Sequence, residues 1–453
     1  MNQGLQPSAQ KNYLVPLITI CALFFIFGFV TWANGTLIPF FKLSFSLSDT
    51  NAFLVATASY MAYFFLAVPS SWILKKIGFK NGIIAGMIVL ALGGLIFIPA
   101  AQAHSFALFL TGIFVQGAAL ALLQTAVNPY LSIIGPMESA AKRISMAGIC
   151  NKFAGMIVPF IMGSIFLKNA GEVEAKINAA VGDEKTAMVN EILSRVNTPY
   201  IVLAVVFILF AILIKFINLP EVQPEEDVVD ETSGEVIHHK SIFQFPHLFL
   251  GALCIFLYVA AEVMAGDIIG VYGKALGINP DISKYFTSLT LTGMLIGYVI
   301  GIFTIPKILS QQLALRICAI LGIVFTILAY VSTGKFYIDV DWNLFGTNII
   351  TAKGDIYYSV IFIALLGLAN SLMWPAIFPL GISHLGKFIK TGSAIMIMGI
   401  AGGAIWPLFY AFLKDTVGLD FQLAYFITML PCYLYILYFA IAGHKVGLKR
   451  KVA

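Results

Sequence analysis

Apolar runs of about 20 residues recur along the whole chain, and short polar breaks separate them. A run of this length crosses the hydrocarbon core of a bilayer as an α-helix, because a lipid-exposed backbone must satisfy its own hydrogen bonds. The pattern therefore predicts an all-α membrane protein. Twelve spans are predicted, at residues 14–41, 51–74, 82–101, 105–134, 144–167, 199–219, 246–273, 284–305, 313–333, 356–383, 391–413 and 421–443.

The predicted spans fall into two sets of six, separated by a segment rich in Asp and Glu and poor in aromatic residues. Such a composition is typical of a solvated linker. We therefore divide the chain into an N-terminal six-helix bundle (1–219), an acidic linker (220–245), a C-terminal six-helix bundle (246–443) and a basic tail (444–453).

Basic residues in short loops predict the orientation, because Lys and Arg concentrate on the cytoplasmic side of a membrane. This places both termini and the linker in the cytoplasm. The segment 168–198 is then outside, as an amphipathic helical hairpin on the membrane face. The basic residues that lie on the predicted cytoplasmic side are Lys75, Lys76, Lys80, Lys142, Arg143, Lys387, Lys390, Lys445, Lys449, Arg450 and Lys451.

Composition excludes several classes of protein. Sixty per cent of the 453 residues are hydrophobic, 11% are charged and the mean hydropathy is +0.92, which excludes a soluble fold. The basic residues that give the net charge of +5 lie in loops beside the spans. They indicate the orientation of the chain in the membrane, so no nucleic-acid partner is expected. No P-loop, HExxH, GxSxG or CxxC pair occurs, so we expect no enzyme, no cofactor and no metal site.

The two sets of spans carry a repeat. Gly117 to Pro129 in the fourth span matches Gly367 to Pro379 in the tenth, at an offset of 250 residues. Gly155 and Pro159 in the fifth span match Gly403 and Pro407 in the eleventh, at an offset of 248. The seventh span aligns with the first at a shorter offset, and a longer external loop at 334–355 accounts for the difference. Two parallel six-helix halves resemble the architecture of major facilitator transporters.

Three charged residues lie well inside predicted spans, where each charge costs at least about 2 kcal/mol. Glu262 and Asp267 are in the seventh span, about 140° apart on a regular helix. They share a face only if the helix is broken, which Gly266 and the glycines after it favour. Each carboxylate either binds a coupling ion or a sugar hydroxyl, or forms an ion pair between helices. Lys152, in the fifth span, either contacts substrate and exchanges partners or extends to the cytoplasmic interface.

Neutral amides at membrane depth suit a hydroxyl-rich ligand, because an amide both donates and accepts hydrogen bonds. Tryptophans offer an apolar face to a sugar ring, although each is equally consistent with core packing. Gln116, Gln124 and Asn128 lie on roughly one face of the fourth span. We therefore predict a sugar-binding cavity lined by Asn34, Gln116, Gln124, Asn128, Asn151, Asn370, Trp32, Trp374 and Trp406.

Five motifs resemble those of the fucose:proton symporter family of major facilitators, which includes the glucose/galactose porters. They occur in the family's order over nearly the whole chain. The motifs are Asn34-Gly-Thr-Leu-Ile-Pro39, Leu123-Gln-Thr-Ala-Val-Asn-Pro129, Tyr258-Val-Ala-Ala-Glu-Val-Met-Ala-Gly266, Asn370-Ser-Leu-Met-Trp-Pro375 and Gly392-Ser-Ala-Ile-Met-Ile-Met-Gly-Ile-Ala-Gly-Gly-Ala-Ile-Trp-Pro407.

The resemblance implies a monomeric importer of a monosaccharide such as glucose, galactose or fucose across a bacterial inner membrane, by alternating access and with a proton or sodium ion as the coupling cation. Proton-linked members of the family have an Asp and a Glu where this chain has Gly35 and Gln124. A coupling ion must then use Glu262 or Asp267, or the carrier is an uncoupled facilitator. A non-transporting sensor is a further alternative, although the linker and tail are too short for a signalling domain.

Overall fold

The structure is a computed structural model. It describes residues 14–134, 136–166, 176–177, 179–180, 182–217, 219, 228–229, 236–237, 241–278, 280–283, 285–344 and 347–448. Most of the predicted linker (220–245) lies outside these residues. Part of the predicted tail (444–453) and part of the predicted amphipathic segment (168–198) also lie outside them.

Within the described residues the fold has twelve helical passes, which we number in chain order. They are α1 (Leu14–Phe45), α2 and α3 (the two arms of Leu54–Leu95, on either side of Gly78), α4 (Phe106–Ile133), α5 (Ala140–Phe166), α6 (Asn197–Phe216), α7 (Pro246–Gly266), α8 (Phe286–Thr304), α9 (Gln311–Val331), α10 (Tyr358–Asn370 continued by Met373–Ile382), α11 (Ile389–Met398 continued by Gly402–Ala411) and α12 (Phe421–Ile441).

Apolar composition and length explain why these helices span a membrane. Within the described residues, ten stretches are long and apolar enough to cross one. Leu54–Gln102, at 49 residues, is about twice the length a bilayer needs, and Gly78 divides it into two passes with a positive φ of 78°. α5 is less apolar because it carries Lys142, Arg143 and Lys152, yet its 27 residues are long enough to span.

Shorter elements join the passes. A helix at Asp183–Ser194 precedes α6, and a short helix at Ile269–Ala275 follows α7. The remaining short elements are Asp49–Ala52, Phe97–Gln102 and Pro280–Ser283, the 3₁₀ turns Met137–Ser139, Ile242–Gln244, Gly386–Phe388, Gly399–Ala401 and Gly443–Lys445, the π turn Phe412–Thr416, and the strand pair Val228–Val229 with Val236–Ile237.

The long connection predicted at 334–355 is present between α9 and α10, but it is a β-hairpin and not an irregular loop. It forms a two-stranded antiparallel hairpin, Lys335–Leu344 with Thr347–Tyr357, in which Lys335 faces Tyr357. Phe336 and Ile338 are half-buried while Tyr337 between them is exposed, which is the alternation of a strand. Asp339 faces Lys353 at 3.0 Å across the strands, and this carboxylate raises the pKa of the Lys353 side chain. We call the membrane face that carries this hairpin the hairpin side, and the opposite face, where α6 ends and α7 begins, the linker side.

The repeated glycines mark equivalent helix crossings in the two halves. A Cβ at Gly117 in α4 would lie 2.5 Å from the Ser59 carbonyl oxygen in α2. A Cβ at Gly367 in α10 would lie still closer to the Thr290 carbonyl oxygen in α8. Small residues let membrane helices pack backbone to backbone, so the repeated glycines form the same kind of helix crossing in each half.

The two halves also touch at the linker side. The Gln311 amide of α9 donates to the Met137 carbonyl oxygen before α5, at 3.0 Å. The Lys390 ammonium of α11 lies 4.8 Å above the Phe79 ring of α3. Both contacts are at helix ends, so the halves are joined there by polar groups near the membrane surface.

A valine at position 117 or 367 will force the crossed helices apart. We expect Gly117→Val and Gly367→Val each to lower the free energy of unfolding by about 1–3 kcal/mol, because overpacking moves backbone against backbone. The thermal unfolding midpoint of the purified protein in detergent measures this. Gly270→Ala is the control, since the nearest atom to its new Cβ is the Ser283 carbonyl oxygen at 3.6 Å. Equal midpoints for all three variants would contradict the crossing.

Candidate functional site

An ion pair joins the halves at the centre of the membrane. α5 places Lys152 twelve residues after its first residue and fourteen before its last. Its ammonium bonds to the Oε1 atom of Glu262 in α7, and the two side chains are only 9% and 12% exposed. Lys152 therefore points across to the other half and not along its own helix to the interface. For Glu262, the inter-helix ion pair that the sequence left as one alternative is present.

Trp32 of α1 covers this ion pair. The Lys152 ammonium lies 4.9 Å from the centroid of its ring, which is a cation–π distance. The indole lies directly on α5 at Gly155, where any Cβ would collide with the ring, and its far edge reaches Gly266 of α7. One aromatic side chain thus contacts helices of both halves beside the buried charges.

α7 breaks immediately after Gly266, as its glycines predicted. Asp267 is in a turn and Ile268 in a bend before the helix resumes at Ile269. Two backbone carbonyl groups near the break accept hydrogen bonds from side chains of α8. The hydroxyl of Thr287 donates to the Gly266 carbonyl at 2.7 Å, and that of Thr290 donates to the Ala265 carbonyl at 2.9 Å. Because α8 satisfies these carbonyls, the break is a fixed feature that lets Glu262 and Asp267 face different helices.

Asp267 faces α1. Its Oδ1 atom is 3.0 Å from the position that a Cβ on Gly35 would take. Around it is a narrow recess with a volume of about 10 Å³, room for about one water-sized ligand. The recess is lined by Thr31, Asn34, Gly35, Ile38, Ala56, Ser59, Tyr60 and Asp267.

Asn34 is a buried member of this recess, at 4% exposure. Its amide nitrogen donates to the Ser59 hydroxyl at 3.3 Å, and among the described residues its Oδ1 atom has no hydrogen-bond partner. Ser59 is 3% exposed. The recess therefore contains a buried acceptor without a donor, next to a carboxylate.

Gln124 and Asn128 of α4 form a second polar group, one turn apart on one helix face, whereas Gln116, predicted for the same face, packs against α3. The Gln124 amide donates to the Tyr63 hydroxyl of α2 at 3.1 Å, and Asn128 donates to the Gln124 carbonyl at 3.0 Å. Trp374 of α10 donates from Nε1 to the Oδ1 atom of Asn128 at 3.2 Å. This last bond crosses from the C-terminal half to the N-terminal half, and Gln124 and Trp374 keep partial exposure beside it.

Four predicted binding residues contact their own half. Gln116 is buried against Gly93 and Gly94 of α3, and among the described residues its Oε1 atom has no hydrogen-bond partner. Asn370 accepts from the Tyr433 hydroxyl of α12 at 2.9 Å, Trp406 donates to the Thr428 carbonyl at 2.8 Å, and Asn151 donates to the Phe24 carbonyl at 3.2 Å. Gln116 therefore faces α3, and Asn370 and Trp406 face α12.

Sequence reasoning missed the α2 contribution, namely Ser59, Tyr60 and Tyr63. Hydroxyl groups are common in membrane helices, where they usually bond to a carbonyl one turn earlier, as Ser70 does. The spacing in the sequence could have identified these side chains, because Ser59 and Tyr63 are one turn apart on a face that meets α1 and α4. In the described part of the chain, no group of three or more His, Cys, Asp and Glu side chains is placed to hold a metal ion.

Comparisons with known proteins cover most of the chain. The family model described as Major Facilitator Superfamily matches residues 20–409. The chain is 31% identical over 444 residues to a glucose/galactose transporter of Brucella abortus, covering 97% of both. It is 28% identical to the L-fucose-proton symporter of Escherichia coli, covering 90% of this chain and 89% of that one. A crystal structure of the Escherichia coli fucose:proton symporter superimposes with a TM-score of 0.74 at 25% identity, over 95% of this chain and 98% of that chain.

The ion pair predicts strong coupling between its two partners. Lys152→Met or Glu262→Gln alone leaves one charge buried without a partner, so each should lower the free energy of unfolding by about 3 kcal/mol. The double variant Lys152→Met with Glu262→Gln should recover most of this loss, because no uncompensated charge remains. Thermal unfolding midpoints of the three purified variants measure the cycle. Additive losses in the double variant would show that the two side chains do not interact.

Proposed function

Since the chain belongs to the major facilitator superfamily, in its fucose:proton symporter family, we propose that it imports a hexose such as glucose, galactose or fucose by cation-coupled alternating access. It is a multi-pass membrane transporter rather than an enzyme. The observation that carries the proposal is the meeting of polar groups from both halves at the centre of the membrane, where Lys152 bonds to Glu262 and Trp374 bonds to Asn128.

Polar side chains at this depth are costly in lipid, and their placement supports a substrate path. Gln124, Glu262 and Trp374 keep partial exposure while bonding to neighbouring helices. Amide, carboxylate, ammonium and indole N–H groups together supply both donors and acceptors, which a hexose ring with several hydroxyls requires. The rings of Trp32 and Trp374 offer apolar faces to the C–H side of such a ring. The sugar contacts that we propose are Trp32, Gln124, Asn128, Lys152, Glu262 and Trp374.

Alternating access follows from the way the halves are joined. The ion pair and the Trp374–Asn128 bond cross between the halves, so a rocking motion of one half against the other must rearrange them. A hexose hydroxyl that replaces one of these bonds favours a particular arrangement of the halves and so shifts the equilibrium between states. The linker-side contacts of Gln311 with Met137 and of Lys390 with Phe79 would open in the inward-facing state.

The setting proposed for this transporter follows the basic loops. Both termini and the linker lie in the cytoplasm, the hairpin side faces outwards, and the membrane is a bacterial inner membrane. We further propose that it functions as a monomer without a cofactor.

Counterflow of labelled sugar tests the proposal directly. Purified protein in liposomes preloaded with unlabelled glucose, galactose or fucose should accumulate the labelled sugar transiently, because exchange through a carrier needs no energy source. Empty liposomes are the control. A non-transporting sensor gives binding without counterflow. If imposed ion gradients fail to concentrate a sugar that shows counterflow, the protein is an uncoupled facilitator.

Two glutamines of α4 provide a matched pair for locating the sugar. We expect Gln124→Leu to raise the half-saturating sugar concentration about tenfold, since it removes an amide at the centre of the membrane. Gln116→Leu should leave this concentration unchanged within about twofold, because Gln116 packs against Gly93 and Gly94, away from the ion pair. Concentration dependence of counterflow measures both. The opposite ranking would move the site to the α3 side of the bundle.

A further inference from the structure

The recess around Asp267 lies between the two halves on the hairpin side of the ion pair. α1 contributes Asn34 and Gly35, α2 contributes Ser59 and Tyr60, and the break after α7 contributes Asp267. Two helices of the N-terminal half therefore surround a carboxylate that belongs to the C-terminal half. A ligand held in this recess would bind to both halves at once.

Charge balance at the centre of the protein is incomplete by one unit. Lys152 and Glu262 neutralise each other. Among the described residues no cationic side chain lies within ion-pair distance of Asp267, so the three ionisable groups sum to −1. An uncompensated carboxylate at membrane depth is unfavourable, and one monovalent cation would correct the balance.

Further oxygen atoms line the recess beside Asp267. The amide nitrogen of Asn34 donates to the Ser59 hydroxyl, which turns the Oδ1 atom of Asn34 away from Ser59 and leaves it without a donor. Asn34 is 4% exposed, so this acceptor is almost out of reach of bulk water. A carboxylate, an amide oxygen and hydroxyl groups are the ligands that hard cations take.

Gly35 leaves the space that such an ion needs. A Cβ at this position would lie 3.0 Å from Oδ1 of Asp267, so any larger residue would occupy the carboxylate's open side. The glycine is inside a long apolar helix, where Ala would be the more stable choice by about 1 kcal/mol. Its presence is explained if the recess must stay open.

We propose that this recess binds Na⁺ through Asp267, Asn34 and Ser59, and that Na⁺ is the coupling ion. The inference rests on the proposed function for its transport role, whereas the binding site itself does not. A divalent ion would leave an excess positive charge. A proton would neutralise Asp267 but would give the recess only one donor, whereas Na⁺ uses several oxygens at once. Because its ligands belong to both halves, bound Na⁺ stabilises the state in which α1 and Asp267 are together.

Direct binding is tested on the purified full chain in detergent. Thermal unfolding midpoints and tryptophan fluorescence are recorded during titration with NaCl, with choline chloride holding ionic strength constant. Trp32 reports on the site because its ring reaches Gly266, the residue before Asp267. The expected result is a saturable rise of the midpoint with Na⁺ and a fluorescence change with the same half-saturation. No difference between NaCl and choline chloride overturns the site.

Three variants identify the position. Asp267→Asn should abolish the response to Na⁺, and Gly35→Ala should raise the half-saturating concentration about tenfold by crowding the carboxylate. Gly270→Ala, three residues beyond Asp267 with room for a Cβ, should stay within about twofold of the wild type. Unchanged Na⁺ responses in both Asp267→Asn and Gly35→Ala would overturn the assignment. The second variant keeps the carboxylate, so the test stands even if the first folds poorly.

Transport in proteoliposomes tests the coupling ion and the sugar transport independently of each other. An inward Na⁺ gradient should concentrate the sugar that shows counterflow, and a pH gradient without Na⁺ should not. Asp267→Asn should lose Na⁺-driven accumulation, whereas Gly270→Ala should keep it. Accumulation driven by the pH gradient alone overturns Na⁺ as the coupling ion and leaves sugar transport intact. Absence of counterflow for every hexose overturns the proposed function, while the binding titration still decides the Na⁺ site.

Discussion

One ion pair, between Lys152 in the N-terminal half and Glu262 in the C-terminal half, is the contact on which the centre of this protein depends. Each charge alone would be strongly unfavourable at this depth, so each requires the other half of the molecule to be in place. The pair therefore orients α5 towards α7 and brings Trp32 over the ammonium. It also removes Lys152 as a partner for Asp267, which leaves the second carboxylate to another role.

Backbone packing and polar chemistry lie at different heights along the same helices. Glycines such as Gly117 and Gly367 let helices cross at backbone contact, and about two turns further along, Gln124 and Trp374 carry the polar groups near the meeting of the two halves. In α4, Gly117 lies against Ser59 of α2, and seven residues later Gln124 bonds to Tyr63 of the same helix. The tight crossings fix each half as a unit, and the polar groups between the halves can exchange partners.

The sequence predicted the twelve passes, the two halves and the three charges inside the spans, because each of these depends on hydrophobicity and spacing along one helix. It did not predict which polar side chains face the centre. Gln116 and Trp406 have the same chemistry as Gln124 and Trp374, and only the tilt and rotation of each helix separates the two groups. The hairpin at 335–357 was missed for a different reason. Its alternating pattern is present, but a reading based on apolar runs treats any polar stretch between spans as a loop.

The position of Asp267 connects ion binding with the motion of the halves. Because α7 is broken after Gly266, this carboxylate is carried by the C-terminal half yet lies against Gly35 of the N-terminal half. When the halves separate on the hairpin side, Asp267 must leave Asn34 and Ser59, and an ion held by all three loses ligands. Its affinity therefore differs between the two states, and a difference in affinity is what allows an ion gradient to bias the conformational equilibrium. A carboxylate whose ligands all belonged to one half would bind the ion equally in both states and could not couple it to transport.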